Sequence, residues 1–160
     1  MKPPMELNII NLSQEPHHIP TLAKWHHAEW AHLNPGGTLE NRIERMQGYL
    51  SKELVPSTFI YKHEGQLAGS AAIIQSDMDT RPELTPWLAS VYVAPEFRRQ
   101  GIGSKLVEHV MRQAKAACIA KLYLFTPDQA DFYKKLGWTA MGEETYRAFP
   151  VTVMQVALNN

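Results

Sequence analysis

Apolar and polar positions along the chain follow two periods, one typical of helices and the other of strands. The first third predicts one strand and then two helices, which the breaker Asn34-Pro35-Gly36-Gly37 separates. Strand patterns follow, and Glu64-Gly65 divides two of them as in a hairpin. In chain order we predict a strand over 7–12, helices over 21–32 and 39–50, strands over 58–62, 66–75 and 87–93, a helix beginning at the glycines 101 and 103, a strand over 122–125, a helix over 127–136, and strands over 139–146 and 151–158.

The helix that begins at the two glycines has the clearest pattern, and it joins two apolar strands. We expect these strands to run parallel, because strand, helix and strand in succession form a crossover. The next helix has strong boundary signals, with Thr126 at the N-cap, Pro127 at the first helical position, Gln129 completing a capping box and Gly137 after the end. The helix that begins at the glycines is apolar along one face, at Ile102, Leu106, Val107, Val110, Met111 and Ala114.

The 160 residues contain no repeat, low-complexity tract or flexible linker, so we predict a single domain over 1–160. Lysine plus arginine and aspartate plus glutamate both number 16, which disfavours nucleic acid and anionic membranes as partners. The N-terminus lacks the features of a signal peptide and no apolar run is long enough to span a bilayer, so we expect a cytoplasmic protein. We expect Cys118, the single cysteine, to be a small buried apolar residue.

The segment 91–104 is the chemical centre of the sequence, because a strand leads into it and a helix leads out. Gly101 and Gly103 let the backbone approach a ligand closely, and the unpaired amides of a first helical turn attract phosphate. Arg98 and Arg99 would add charge-assisted hydrogen bonds. A dinucleotide fingerprint would need a third glycine where Leu106 stands, and the Gly-Lys-Ser/Thr ending of a P-loop is absent.

Two segments carry a family resemblance. Arg98-x-x-Gly101-x-Gly103 after Val91-Tyr92-Val93-Ala94-Pro95-Glu96, and Ala130-Asp131-Phe132-Tyr133 with Gly137-Trp138, resemble the acetyl-CoA signatures of the GNAT superfamily of N-acetyltransferases. The resemblance is close over 87–158, and over 7–75 only the order of elements agrees. It implies a mixed α/β fold: a twisted, mostly antiparallel sheet, a splayed parallel pair of strands at its centre and about four flanking helices.

The resemblance also implies acetyl-CoA as the cofactor, bound by a core over about 87–137, with coenzyme A as the product. In such proteins the pantetheine arm enters the gap between the splayed strands, and the turn before the helix holds the pyrophosphate. Members often carry Asn near 128 or 129, where this chain has Asp128-Gln129. The implied cofactor-binding residues are Val91, Tyr92, Val93, Arg98, Arg99, Gln100, Gly101, Ile102, Gly103, Ser104, Thr126, Asp128, Phe132 and Tyr133.

The reaction that the resemblance implies is direct attack of an amine on the thioester. Tyr133 matches the general acid of the family, and an amide near Val91 would polarise the thioester carbonyl. The strand 87–91 has no carboxylate where some relatives place a glutamate. The loop that follows residue 75 contains Asp77, Asp79 and Glu83, and we choose Glu83 as the general base.

The acceptor and the function class stay open. Three carboxylates in one loop favour a cationic small-molecule amine, and the segments 124–128 and 132–138 also resemble a branch that acetylates protein N-termini. A non-catalytic acetyl-CoA sensor and a module for another nucleotide are the alternatives. We predict no metal site, because the N-terminal histidines match no metal-ligand spacing. Exposed C-terminal strands are compatible with a homodimer.

Overall fold

A seven-stranded mixed sheet forms the centre of the computed structural model, which describes residues 8–158. Four α-helices lie around the sheet within those residues, as predicted. The strands are β1 (Ile9–Asn11), β2 (Ser57–His63), β3 (Gln66–Ile74), β4 (Trp87–Val93), β5 (Lys121–Thr126), β6 (Thr139–Tyr146) and β7 (Phe149–Ala157), and the helices are α1 (Ile19–Trp30), α2 (Leu39–Gly48), α3 (Ile102–Ala116) and α4 (Ala130–Lys134).

The strand order is β1-β2-β3-β4-β5-β7-β6. It places β4 and β5, the strands before and after α3 in the chain, at the middle of the sheet. β4 and β5 run parallel, and they pair at a single position, Trp87 with Tyr123. All the other neighbouring strands are antiparallel, and β5 pairs with β7 along its whole length. The central parallel pair therefore separates towards the C-terminal end of β4, which confirms the predicted splay.

A bulge interrupts the pairing of β4 with β3 just before this gap. Ser70 pairs with Tyr92 and Ala72 pairs with Ala89, so Ser90 and Val91 together oppose one residue of β3. Ser90 has a positive φ of 54°, which is uncommon for a residue with a side chain. A bulge leaves a peptide group of the longer strand outside the ladder and changes its direction.

The core is divided between the two faces of the sheet and the pair α1 and α2. The apolar stripe of α3 predicted from the sequence packs on one face, where Leu106, Val107 and Val110 are fully buried. α1 and α2 cover β1 and β2 through a separate cluster that includes Leu22 and Met46. This packing holds the N-terminal helices beside the open end of the β4–β5 gap.

Several predicted boundaries differ from the structure. The first strand begins at Ile9, and Leu7 lies outside the described residues. The helix predicted over 127–136 forms only at Ala130–Lys134, because Thr126 pairs with Thr152 as the last residue of β5. The Thr126 hydroxyl still accepts a hydrogen bond from the Gln129 amide, so the capping signal forms a turn and not a helix start.

Cys118 is exposed, which corrects the prediction that it is buried. It follows the end of α3 with a φ of 64°, a conformation in which chains commonly leave a helix. Because this turn faces outwards, the apolar face of α3 ends with Ala114 and does not extend to the cysteine.

Candidate active site

A cavity of about 830 Å³ opens at the gap between β4 and β5. That volume is within the range of small-molecule and cofactor sites. Its wall at the end of β4 includes Val91, Tyr92 and Val93, and the start of α3 contributes Ile102 and Gly103. The cavity therefore borders both β4 and the start of α3, the two elements that the sequence predicts to hold the cofactor.

The first turn of α3 begins at Ile102 without a side-chain cap. Gly101 precedes it with a φ of 79°, a left-handed conformation that glycine adopts without strain. With no capping side chain, the amides of the first turn are available to an anion, and the helix dipole favours negative charge there. A Cβ built on Gly103 would lie 3.5 Å from Phe132 Cζ and 3.7 Å from Val93 Cγ2, so a glycine keeps this entrance wide.

The two predicted phosphate-binding arginines differ in their surroundings, although both line the cavity. Arg98 Nε donates a hydrogen bond to the Val93 carbonyl at 2.8 Å, and its guanidinium lies over the Tyr92 ring and 3.9 Å from Glu29 Oε1. This bond uses one lone pair of the carbonyl of Val93, a residue that the resemblance assigns to cofactor binding. Both arginines are exposed, but Arg99 has no hydrogen bond or ion pair among residues 8–158. Arg99 is therefore the more available cation for a phosphate.

Most of the predicted cofactor-binding residues line this one cavity. Thr126 does so from the end of β5, and Asp128 and Phe132 do so from the segment that follows. Three predicted residues do not contribute to the lining, and these are Gln100, Gly101 and Ser104.

Tyr133 lines the same cavity from α4 and is 8% exposed. Its hydroxyl has no hydrogen-bond partner among residues 8–158. Burial, with a smaller contribution from the charge of Asp128, raises the pKa of Tyr133. The phenol therefore keeps its proton at ordinary pH and can donate a hydrogen bond into the cavity.

The three loop carboxylates have different positions. Asp77 and Asp79 line the cavity, but among the described lining residues Glu83 is absent. Glu83 is exposed and accepts a hydrogen bond from Arg81 Nε at 2.8 Å, and this contact lowers its pKa. The choice of Glu83 as general base is therefore not supported by its position, because its carboxylate is ion-paired outside the cavity.

Asp77 combines a cavity position with a raised pKa. Burial raises the pKa of this partly buried carboxyl to about 6, although the charges of Arg42, Arg45 and Arg147 act in the opposite direction. A carboxylate with a pKa near neutrality can exchange a proton with an amine or with water. Sequence spacing could not separate Asp77 from Glu83, since the two sides of one loop face different surroundings.

A chain of hydrogen bonds from side chains of α1, α2 and β3 supports the bulge of β4. Arg42 Nη2 donates to Ser90 Oγ at 3.0 Å and to His26 Nδ1 at 2.9 Å. Because a guanidinium can only donate, His26 Nδ1 accepts, and its Nε2–H donates to Ser70 Oγ at 2.9 Å. The Ser70 hydroxyl then donates to the Ser90 carbonyl at 2.9 Å. Burial and the charge of Arg42 lower the pKa of His26, which keeps the ring neutral in this tautomer.

Sequence reasoning missed the residues that form the far end of the cavity. They come from α2 and from the turn between β6 and β7, and no local motif marks them. Arg147 and Ala148 both have positive φ values, and Arg147 bonds to Asn34 and Asp79 across the cavity mouth. The missed lining residues include Arg42, Arg45, Tyr49, Tyr146 and Arg147.

Glu15, His17 and His18 place potential metal-ligand atoms within 4.8 Å of one another. Lys62 Nζ lies 3.0 Å and 3.2 Å from the two carboxylate oxygens of Glu15, and His18 Nε2 lies 2.9 Å from Oε1. The hydrogen bond from Lys62 is the main cause of the lowered pKa of Glu15. An ammonium group already neutralises this carboxylate, so the contacts describe an ion-pair cluster.

None of the helices within residues 8–158 combines the length and the apolar character that a bilayer-spanning helix requires.

Comparison with known proteins agrees with the fold. Residues 56–140 match the acetyltransferase (GNAT) domain family. An aminoglycoside 6'-N-acetyltransferase complexed with coenzyme A superposes with a TM-score of 0.74 at 15% identity over 95% of this chain and 97% of its own. A ribosomal-protein-alanine N-acetyltransferase from Brucella melitensis gives 0.71 at 20% identity over 94% and 99%. An N-acetylglutamate synthase from Neisseria gonorrhoeae, complexed with coenzyme A and N-acetyl-glutamate, gives 0.70 at 17% identity over 95% and 35%.

With more than half of its length matched, the chain belongs to the GNAT acetyltransferase family. Coenzyme A is bound in two of these solved structures. The residues present fit coenzyme A. The uncapped start of α3, Gly103, which has no side chain to narrow the entrance, and the β4–β5 gap all border one cavity.

Proposed function

We propose that this chain transfers the acetyl group of acetyl-CoA to a primary amine, by direct attack within a ternary complex. One observation carries the proposal: a single cavity is lined by the start of α3, by Tyr133 and by Asp77. The cofactor supplies the acetyl group as a thioester. The chain's own residues must then remove a proton from the amine, stabilise charge on the carbonyl oxygen and return a proton to sulfur.

We assign the general base to Asp77. Its pKa of about 6 allows the carboxylate to be ionised at neutral pH and still to accept a proton during the reaction. Asp79 is less suited, because its Oδ2 lies 3.3 Å from Arg147 Nη2 in an ion pair. The proton moves to the Asp77 carboxylate directly or through one water molecule.

The bulge of β4 supplies the group that binds the carbonyl oxygen. A bulge releases a peptide N–H from the ladder, and Val91 lines the cavity beside the bulged Ser90. An N–H that is fixed before the reaction stabilises developing negative charge at little reorganisation cost. The bonds from Ser70 and Arg42 to Ser90 hold the backbone in this conformation.

Tyr133 is the proposed proton donor to the departing sulfur. Its buried phenol stays protonated, and its hydroxyl has no competing partner among residues 8–158. The ring centroids of Phe132 and Tyr133 lie 4.9 Å apart, and those of Trp138 and Tyr133 lie 6.1 Å apart, both pairs edge-on. These two contacts hold the Tyr133 ring in place.

The experiment is an acceptor screen that measures free thiol release from acetyl-CoA. The panel contains amino acids, polyamines, aminoglycosides and short peptides, and we expect at least one class to stimulate release. Tyr133→Phe should lower kcat about 100-fold or more, the usual contribution of a general acid. Tyr123→Phe is the matched control, because Tyr123 does not line the cavity among the described residues.

A non-catalytic acetyl-CoA sensor is the second candidate function. It would bind coenzyme A with unchanged affinity in the Tyr133→Phe variant and release no thiol with any amine. Tyr133 and Asp77 in one cavity argue for catalysis, since a sensor has no need of a proton donor or a base there.

A further inference from the structure

We call the far end of the cavity, formed by α2 and the turn between β6 and β7, the acceptor end. No sequence motif predicted the arginines that line it. Arg42, Arg45 and Arg147 line it together with Asp77 and Asp79. Arg147 is neutralised locally, because its guanidinium binds Asp79 at 3.3 Å and Asn34 Oδ1 at 2.6 Å. With Glu83 outside the cavity, the carboxylates no longer predict a cationic acceptor.

Arg42 is a partly buried cation without a carboxylate in contact. Its Nη2 is used by the neutral His26 and by Ser90, its Nε is buried, and among residues 8–158 neither Nε nor Nη1 has a hydrogen-bond partner. Burying a charge is costly unless an opposite charge and hydrogen bonds accompany it. Burial and the like charge of Arg45 lower the pKa of Arg42, and together they outweigh the opposite effect of the Asp77 charge.

Arg45 lies three residues further along α2, on the same side of the helix as Arg42. Like charges at this spacing repel each other. Within the described part of the chain Arg45 has no ion pair, and its side chain is exposed to the cavity. Asp77 does not satisfy the two arginines, because its pKa remains raised and no contact within 4.0 Å joins it to either.

A second cavity of about 510 Å³ continues from the first between α1 and α2. Trp30, Asn34, Arg42 and Arg45 line both cavities, so the two arginines lie at their junction. An acceptor whose amine reaches Asp77 can therefore place a second functional group beside both guanidinium groups.

We propose that the acceptor carries a carboxylate in addition to its amine, and that Arg42 and Arg45 bind this carboxylate at the junction of the two cavities. The inference rests on the proposed function, which it narrows to amino acids and related amino carboxylates. A guanidinium binds a carboxylate through charge-assisted hydrogen bonds, and the N–H groups of Arg42 Nη1 have no partner among residues 8–158. The opposite charges of Asp77 and the arginines would orient a zwitterion with its amine towards the thioester.

The test compares matched acceptors that differ only in this group. Amino acids and their carboxamides are assayed with the intact protein at equal concentrations of the uncharged amine. We expect kcat/KM to be about tenfold or more higher for the carboxylate of each active pair, the value of a charge-assisted contact. Arg45→Gln should remove about tenfold from the carboxylate and leave the carboxamide within about twofold.

Lys115→Gln is the control for the change in net charge, because Lys115 lies on α3 and lines neither cavity among the described residues. It should leave the ratio of the two acceptors unchanged. Equal or better turnover of carboxamides or polyamines would overturn the inference and leave acetyl transfer standing. A protein that binds coenzyme A and acetylates no amine of any class would overturn the proposed function, and the inference with it.

Discussion

Asp77 shows at the scale of one residue how burial can outweigh charge. Three arginines contribute field at its carboxyl, yet the pKa is raised because desolvation is the larger effect. The same comparison explains why Glu83, exposed and in contact with Arg81, has a lowered pKa although both residues belong to one loop. Position relative to solvent therefore decides which carboxylate can act as a base.

We predict that kcat/KM rises with pH through a midpoint of about 6, the pKa of Asp77 in the free protein. Asp77→Asn should remove this limb and lower the plateau by about 100-fold or more. The measurement is a pH–rate profile in which the ionisation of the acceptor amine is determined separately. Glu83→Gln is the matched control, and the proposal for Asp77 fails if that variant, and not Asp77→Asn, loses the limb.

The raised pKa of Asp77 also makes a prediction about stability. A carboxyl with a raised pKa in the folded state stabilises the fold below its unfolded pKa, and this contribution is lost as the pH rises through about 6. A tenfold change in acidity corresponds to about 1.4 kcal/mol. Allowing for solvent in the cavity, Asp77→Asn should increase the free energy of unfolding by about 1–2 kcal/mol at neutral pH. Denaturant titrations should show this difference shrinking towards about pH 4.

At the scale of elements, the bulge of β4 depends on side chains from three other elements. His26 comes from α1, Arg42 from α2 and Ser70 from β3, and their bonds meet at Ser90. No window of sequence contains this set. The bulge could therefore not be predicted, whereas β4 itself was predicted with its observed bounds because its apolar pattern is local.

Ser70→Ala tests whether this network positions the bulge. Ser70 and Ser57 are both fully buried, and each hydroxyl donates to one backbone carbonyl. Either substitution should reduce the free energy of unfolding by about 1–2 kcal/mol. Only Ser70→Ala should also lower kcat, by about tenfold, because a displaced N–H stabilises the carbonyl oxygen less well. Equal kcat values in the two variants would remove Ser70 from a positioning role.

Gly69 of β3 leaves no room for a side chain beside β4. A Cβ at this position would lie 2.5 Å from the Tyr92 carbonyl oxygen and 3.3 Å from Leu106 Cδ1. Gly69→Ala should therefore destabilise the fold by about 1–3 kcal/mol, since a backbone atom must move. Gly48→Ala is the control, because nothing lies within 4 Å of its Cβ, and alanine at that helical position should be neutral or stabilising by up to about 1 kcal/mol. Urea denaturation measures both changes.

At the scale of the whole molecule, the sequence predicted what local signals control. The element order and the parallel pair each depend on residues close together in the chain, and the structure agrees with them. The helix start after Gly101 also forms as predicted, and its binding of phosphate stays a prediction. The acceptor end instead combines residues of α2, the loop after β3 and the turn at Arg147, which are far apart in the chain, so its arginines could not be anticipated. The error at Thr126 has the same origin, because pairing with Thr152 outweighed the local preference for a helix start.

The sheet consists of two halves that meet at one paired position, Trp87 with Tyr123. A ligand that binds along the gap contacts both halves in the folded state only, so it raises the melting temperature by mass action. At about 100 times its Kd, coenzyme A should add about 2.7 kcal/mol, or about 5–10 °C for a chain of this length. A thermal-shift titration measures this, with ATP as the comparison ligand.

Gly103→Ala should keep the melting temperature of the free protein, since its Cβ meets Phe132 and Val93 at ordinary contact distances. The added methyl narrows the entrance beside the first turn of α3, so the shift produced by coenzyme A should shrink. An equal shift with ATP would instead indicate a general nucleotide-binding module, because the pantetheine arm in the β4–β5 gap would then contribute nothing to binding.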